Sequence, residues 1–199
     1  MVTPLIRPAT VNDAPAIAAI YRPIVESTPI SFETVAPDAD EMRRRIQEVL
    51  GSHVWLVCER DGVVAGYAYA SAHRARAAYR WSVDTSVYVD DAFRRRGIGH
   101  ALYLSLLAVL TAQGYANAFA GITLPGPASV GLHERAGFTP LGVYRRVGYK
   151  LGAWHDVGWW QRSLDLRDDE PPAIRGLREV QRRNDFDALL ATGLAVIRD

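Results

Sequence analysis

Between Trp81 and Gly114 the chain changes its periodicity once, and that change constrains the fold more than any other feature. "WSVDTSVYV" alternates: Trp81, Val83, Thr85, Val87 and Val89 share one face of an extended strand, and Ser82, Asp84, Ser86 and Tyr88 share the other. "FRRRGIG" follows, and the apolar stretch from Gly97 to Gln113 then reads as a helix closed by Gly114. A strand that runs through a Gly-x-Gly loop straight into a long helix implies a sheet with helices laid on its faces.

The flanking segments extend this pattern. "PLIRP" reads as a short first strand stopped by Pro8. Thr10 and Asp13 form a capping pattern ahead of Ile17, Ile20, Ile24 and Val25, which recur at helical spacing with Pro15 near the start. Asp38 and Glu41 open a second helix, "EMRRRIQEVL", ending at Gly51. "VWLVCER" and "VVAGYAYA" flank Asp61-Gly62, a strong hairpin signal. "SAHRARAAYR" is a polar, basic connection. After the long helix come a strand, "AFAGITL", a short helix, "ASVGLHERAG", and two last strands, "LGVYRRVGYK" and "VGWWQRSLDL", separated by "LGAWHD". "RDDEPP" is a linker by composition, and the tail beyond it carries apolar Leu177, Val180, Phe186, Leu189 and Leu190, enough for one or two helices. The order β α α β β β α β α β β predicts a mixed α/β domain.

Composition excludes several classes. The 199 residues suffice for one domain with a real core, and the formal net charge of +1 offers nothing to attract nucleic acid or an anionic membrane. Cys58 is the single cysteine, so no internal disulfide forms, which fits a cytoplasmic protein. The N-terminus has no signal-peptide stretch, and "ALYLSLLAVL" is too short to span a bilayer. The five histidines show no metal-ligand spacing, so no metal is expected.

The Gly-x-Gly loop points to a phosphate. A helix start presents unpaired N–H groups, and glycines let that backbone approach an anion closely. On its own the motif equally permits a tight turn with surface arginines. It is not a P-loop, because no Lys-Ser/Thr follows Gly99, and it lacks the third glycine of a dinucleotide fingerprint.

"VYVDDAFRRRGIGHAL" resembles the acetyl-CoA loop of the GNAT N-acetyltransferases, with Arg94, Gly97 and Gly99 matching Q/R-x-x-G-x-G/A. "LHERAGF" resembles that family's later L-Y-x-x-x-G-F signature. "RPAT", "AIYRPIVEST", "ARAAYRWSVDTSVYV", "SVGLHERAGF" and "GYKLGAWHDVGWWQ" look, in this order, like the phosphinothricin and methionine sulfoximine acetyltransferases. The likeness runs from about residue 3 to 165. It implies a GNAT-like, mostly antiparallel twisted sheet of about seven strands with about four helices over residues 1–165, and a C-terminal extension, 166–199, helical or partly disordered.

The resemblance also implies roles. Acetyl-CoA would lie with its pantetheine arm along the backbone of Val87, Tyr88 and Val89, and with its pyrophosphate on the amides from Arg95 through His100, including Arg96 and Ile98. Gly126 stands where these relatives carry Asn and offers only backbone. Asp84 stands where they carry a Glu acting as general base, and as the shorter, more acidic residue it suits orienting a water or the ammonium. His133 occupies the position of a proton donor to the leaving thiolate. Phe32, Arg74, Arg76, Tyr88 and Lys150 would surround the acceptor, a small amino-acid-like amine. The segment with Lys150, Trp154 and His155 would border a homodimer interface. Another amine acceptor, or an acyl-CoA sensor without turnover, is the competing reading. No nucleic-acid or membrane partner is expected.

Overall fold

The structure is a computed structural model that describes residues 4–165 and 169–198. The expected linker at 167–172 begins in the stretch outside the described residues, and the expected boundary after Asp165 abuts it. Seven strands form one sheet in the order β1-β2-β3-β4-β5-β7-β6. They are β1 (Leu5–Pro8), β2 (Trp55–Arg60), β3 (Val63–Ala72), β4 (Ser82–Val89), β5 (Asn117–Leu124), β6 (Thr139–Lys150) and β7 (Ala153–Ser163). Every neighbouring pair is antiparallel except β4 and β5. Helices α1 (Ala14–Ser27), α2 (Ala39–Leu50), α3 (Ile98–Gln113) and α4 (Pro127–Arg135) flank the sheet, and α5 (Leu177–Gln181) and α6 (Phe186–Ala191) belong to the tail. This is the expected GNAT-like architecture.

The sheet divides the core in two. Val83 of β4, Ala118 and Ala120 of β5, and Leu102, Leu106 and Leu110 of α3 build one side. Trp55, Val57 and Tyr67 meet Ile17, Ile24 and Ile46 of α1 and α2 on the other. The alternation in β4 is realised: Val83 and Thr85 are buried, and Asp84 lies half-buried on the opposite face. Gly97 and Gly114 cap α3 at its two ends with φ of 83° and 95°.

Two hairpins turn on two residues each. Asp61 and Gly62 (φ 54° and 77°) join β2 to β3 as expected, and Leu151 and Gly152 (φ 50° and 78°) join β6 to β7. The second turn corrects the reading of "LGAWHD" as a separator. From Ala153 onward the segment is already strand, because Leu151-Gly152 alone completes the reversal and Tyr149 then stands opposite Trp154, ring centroids 5.4 Å apart.

β4 and β5 are joined through α3, the crossover that a parallel pair requires. Their ladder is brief: Ser82, Val83 and Asp84 pair with Asn117, Ala118 and Phe119, and pairing then stops. Beyond that point β4 stays with β3 as far as Val89, and β5 stays with β7 as far as Leu124. The two strands part like the arms of a V, leaving one edge of β4 open.

The tail packs on α3. Leu177, Val180, Phe186 and Leu190 are buried in the same cluster as Leu102 and Leu106. Ser105 donates its hydroxyl to the Leu190 carbonyl at 2.7 Å and accepts from the Gly193 amide at 3.2 Å. A side chain at Gly193 would collide with the Ala101 carbonyl, so the tail's backbone lies directly on α3. Phe186→Ala should therefore cost about 3 kcal/mol of global stability, read as a lower urea midpoint at unchanged slope.

Candidate functional site

The loop before α3 opens with Asp90, whose carboxylate accepts from the Ala92 amide at 2.8 Å. Arg95 and Gly97 then take left-handed φ of 63° and 83°. A side chain on Gly97 would be strained by that φ and would collide with the Val196 carbonyl. The first helical bond runs from the Ala101 amide to the Gly97 carbonyl at 2.9 Å. The amides of Ile98, Gly99 and His100 precede it and point out of the helix end, where the helix dipole adds positive potential.

These amides face a cleft of about 870 Å³. Val89, Arg94 and Arg95 border it on one side, Leu132 and Arg135 of α4 on another, and Ala195, Val196 and Arg198 of the tail on a third. His100 lines it with a buried Nε2 that has no partner among the described residues. Free amides, arginines and an unpartnered buried nitrogen suit a diphosphate-bearing ligand. Arg94 is also tied to Asp91 at 2.6 Å.

Most of the expected cofactor residues gather here: Val89, Arg94, Arg95, Gly97, Ile98, Gly99 and His100. Arg96 is not among the residues that line the cleft. Its guanidinium stands 5.9 Å from the Phe93 ring centroid, and its carbonyl accepts from the Arg198 amide at 2.8 Å. Val87 and Tyr88 lie outside the cleft on the unpaired edge of β4, where the backbone has hydrogen-bonding groups to offer an extended ligand. Gly126 sits at the start of α4, and a Cβ there would come within 2.6 Å of the Thr123 carbonyl. A side chain here would require the backbone at Thr123 to shift. The tail's part in the cleft was not foreseeable from "LAVIRD", which carries no motif.

At the fork of the V, Asp84 lies on the α1–α2 face of the sheet. Its carboxylate meets His73 Nδ1 at 2.6 Å. Burial raises the Asp84 carboxyl above the usual carboxylate range, and the His73 hydrogen bond and nearby Arg74 oppose that rise. His73 stacks on Phe119 with centroids 4.2 Å apart, and Trp159 and Tyr79 stand edge-on to it. Sequence reading passed over His73, because nothing in "SAHRAR" marks it as Asp84's partner. On the same face, Tyr21, Arg45, Trp55, Tyr67, Tyr69 and Ser71 enclose a recess of about 270 Å³.

The other expected acceptor residues are scattered. Arg74 is exposed, donates to the His73 carbonyl at 2.8 Å and stands 5.8 Å from the Trp159 centroid. Arg76 is exposed, and its guanidinium has no partner among the described residues. Tyr88 packs edge-on to Tyr21 at 5.0 Å. The ring of Phe32 covers Gly148 so closely that a side chain there would collide with it. Lys150 is buried and donates to the Ser31 carbonyl at 2.7 Å. It ties down the loop between α1 and α2.

His133 is buried beneath α4. Its Nδ1 lies 2.7 Å from the Ser129 carbonyl and its Nε2 2.7 Å from the Tyr103 hydroxyl. A carbonyl only accepts, so Nδ1 carries the hydrogen and Nε2 accepts from Tyr103. Burial lowers its pKa and keeps the ring neutral. Both nitrogens are engaged within the protein, so His133 joins α4 to α3.

Comparison with known proteins gives a consistent result. The family described as acetyltransferase (GNAT) domain matches residues 6–159. A phosphinothricin N-acetyltransferase of Streptomyces viridochromogenes is 43% identical over 175 residues, 88% of this chain and 93% of that protein. An L-methionine sulfoximine/L-methionine sulfone acetyltransferase of Pseudomonas aeruginosa is 34% identical over 170 residues, 83% of this chain and 98% of that protein. The crystal structure of a phosphinothricin acetyltransferase from Sinorhizobium meliloti in complex with AcCoA superposes with a TM-score of 0.82 at 35% identity, covering 86% of this chain and 94% of that one.

The neutral state of His133 has a pH signature. Its pKa is lower folded than unfolded, so the unfolded chain binds the proton more readily. Its contribution to stability is lost as pH falls below about 6.5, the ordinary imidazole value. His133→Phe should remove that part of the acid slope and, by taking away the acceptor of the buried Tyr103 hydroxyl, cost about 1–3 kcal/mol at pH 7.5. Urea midpoints at pH 5.5 and 7.5 measure both effects.

Proposed function

The chain belongs to the GNAT acetyltransferase family, and from that premise we propose that it moves an acetyl group from acetyl-CoA to the amine of a small amino-acid-like acceptor of the phosphinothricin or methionine sulfoximine type. The observation that carries this reading is the continuity of the cleft with the open edge of β4: the loop at Gly97–Gly99 leads by way of Val89 to Asp84 at the fork. Bound acetyl-CoA supplies an activated acyl carbon. The chain's own residues do the rest. The amides of Ile98, Gly99 and His100, with Arg95 and Arg135 beside them, hold the phosphates. The free groups of Thr85–Val89 align the arm. The reacting end then reaches the α1–α2 face, where the acceptor waits. Cys58 is buried, and burial pushes its thiol up to about 11, so transfer is direct rather than through an acyl-cysteine.

The acceptor's carboxylate calls for a cation, and Arg76 is exposed on the connection between β3 and β4 with its guanidinium free among the described residues. The tail belongs to the same functional unit, because Ala195, Val196 and Arg198 form a wall of the cofactor cleft. We place the enzyme in the cytoplasm on its one unpaired cysteine.

Its partner, on this reading, is a second copy. β6 is an edge strand of 12 residues with Leu141, Val143, Tyr144, Val147 and Tyr149 exposed. An unprotected apolar edge of that length favours association. Pairing there would also place the segment around Trp154 near a neighbouring subunit.

Release of free thiol from acetyl-CoA, dependent on added phosphinothricin or methionine sulfoximine, tests the function; CoA binding without turnover across an amine panel would instead favour a sensor. Arg76→Ala should raise the acceptor KM about tenfold, about 1.4 kcal/mol for a lost charge-assisted contact, with the acetyl-CoA KM unchanged. Val143→Arg should shift the mass measured by light scattering from dimer to monomer.

A further inference from the structure

We infer that His73 is the group that takes the proton from the acceptor's ammonium, and that Asp84 is its positioning partner rather than the base itself. The inference deepens the acetyl-transfer reading above and rests on it.

The pair is a product of strand register. Ser71 stands opposite Asp84 and Ala72 opposite Val83, and the ladder continues as the His73 amide donates to the Ser82 carbonyl at 3.4 Å. Residues two apart on a strand share a face. Ser71, His73, Ser82 and Asp84 therefore project to one side, and His73 and Asp84 are diagonal neighbours across the ladder. At 2.6 Å from His73 Nδ1, Asp84 Oδ1 is within hydrogen-bond range. A carboxylate only accepts, so Nδ1 carries the hydrogen. The tautomer is thereby set, and Nε2 holds the free lone pair.

No described residue takes that lone pair. Among the described residues Nε2 has no hydrogen-bond partner, and it is not sealed from solvent, although only 12% of the His73 side chain is exposed. Contrast His133, whose two nitrogens are both engaged. The His73 ring is also held still: Phe119 lies parallel at 4.2 Å with 17° between planes, and Trp159 and Tyr79 contact its edges. Phe119 is the residue paired with Asp84 at the last rung before β4 and β5 part. The imidazole therefore sits at the fork where the open edge of β4 begins.

Chemistry favours the imidazole over the carboxylate. A carboxylate is a weak base toward an ammonium, whereas an imidazole exchanges its proton between about pH 5 and 8. An adjacent carboxylate fixes the ring and stabilises its cationic form. The charged and titratable groups facing His73 are Asp84 from β4, Tyr79 and Arg74 from the connection; β5 and β7 present the uncharged Phe119 and Trp159. In the step itself the ammonium gives one proton to Nε2. The neutral nitrogen bonds to the acetyl carbonyl carbon, the carbon–sulfur bond breaks, and the nitrogen's second proton passes through water to the thiolate. His73 returns its proton to solvent. An amide, a free thiol and one proton result.

The test follows thiol release and acetyl-CoA binding over pH 5.5–9.5 for the full chain and for His73→Phe, His73→Ala and Asp84→Asn. The wild type should lose kcat/KM for the acceptor as pH falls, because a protonated His73 takes up no further proton. His73→Phe, which keeps a flat ring against Phe119, should lose about a hundredfold or more in kcat with the acetyl-CoA Kd unchanged, and should lose the acidic limb. Added imidazole should restore part of the turnover of His73→Ala. In Asp84→Asn kcat should fall with the acetyl-CoA Kd unchanged, because Nδ1 loses the carboxylate that sets the tautomer. Should His73→Phe fail to fold, His73→Gln is read the same way. A folded His73→Phe or His73→Gln that binds acetyl-CoA and turns over within threefold of wild type, with the limb intact, overturns the inference and leaves the acetyl-transfer reading standing. Wild-type protein that transfers no acetyl group overturns that reading, and the inference falls with it.

Discussion

Three parallel residue pairs between β4 and β5 carry the architecture of the site. Where that ladder ends, at Asp84 and Phe119, backbone groups of β4 lose their neighbour and become available to a ligand. Thr85 marks the end by donating its hydroxyl to the Phe119 carbonyl at 3.0 Å. The separation is stable because each strand keeps its other partner: β3 holds β4 through Val89, and β7 holds β5 through Leu124. A longer parallel ladder would close the groove that connects the phosphate loop to Asp84.

The crossover helix links that fork to the cofactor end. One helix, α3, caps the phosphate loop with its N-terminus, fills one half of the core with its body and supports the tail. Its glycines have separate reasons. Gly97 is demanded by a left-handed φ and by the tail's carbonyl, and Gly99 by the approach of Leu132 at 3.2 Å from where a Cβ would stand. The phosphate loop is thus squeezed between α4 and the chain's last residues. Arg60 donates to the Arg198 carbonyl at 2.7 Å, so the tail's end is tied to β2 as well.

The opposite face of the sheet has a different character. Aromatic rings crowd it: Trp55, Tyr67, Tyr69, Tyr88 and Tyr21 on one side of the fork, Phe119, Trp159 and Phe32 on the other. The loop carrying Phe32 is pinned by bonds from Thr123 to Pro29 and from Lys150 to Ser31. Lys150 thereby fixes the shape of this loop. The bulge in β6, where the Arg146 amide donates to Asp156 at 2.7 Å, brings Gly148 under Phe32.

Much of this was legible in the residue order. The period-two run of β4, the Asp61-Gly62 turn, the Gly97 and Gly114 ends of α3 and the placing of Asp84 on the polar face follow from local rules that depend on a few neighbouring residues. The Gly-x-Gly loop ahead of α3 was legible for the same reason: its residues are neighbours along the chain. What only the tertiary structure decided are the meetings between segments far apart in sequence. His73 faces Asp84 through strand register, His133 is locked between Ser129 and Tyr103, Lys150 is drawn inward to Ser31, and Val196 is laid against Gly97 through burial of an unmarked tail. Residue types announce what a side chain is able to do; which atom it does it to depends on packing, and packing is a property of the whole chain.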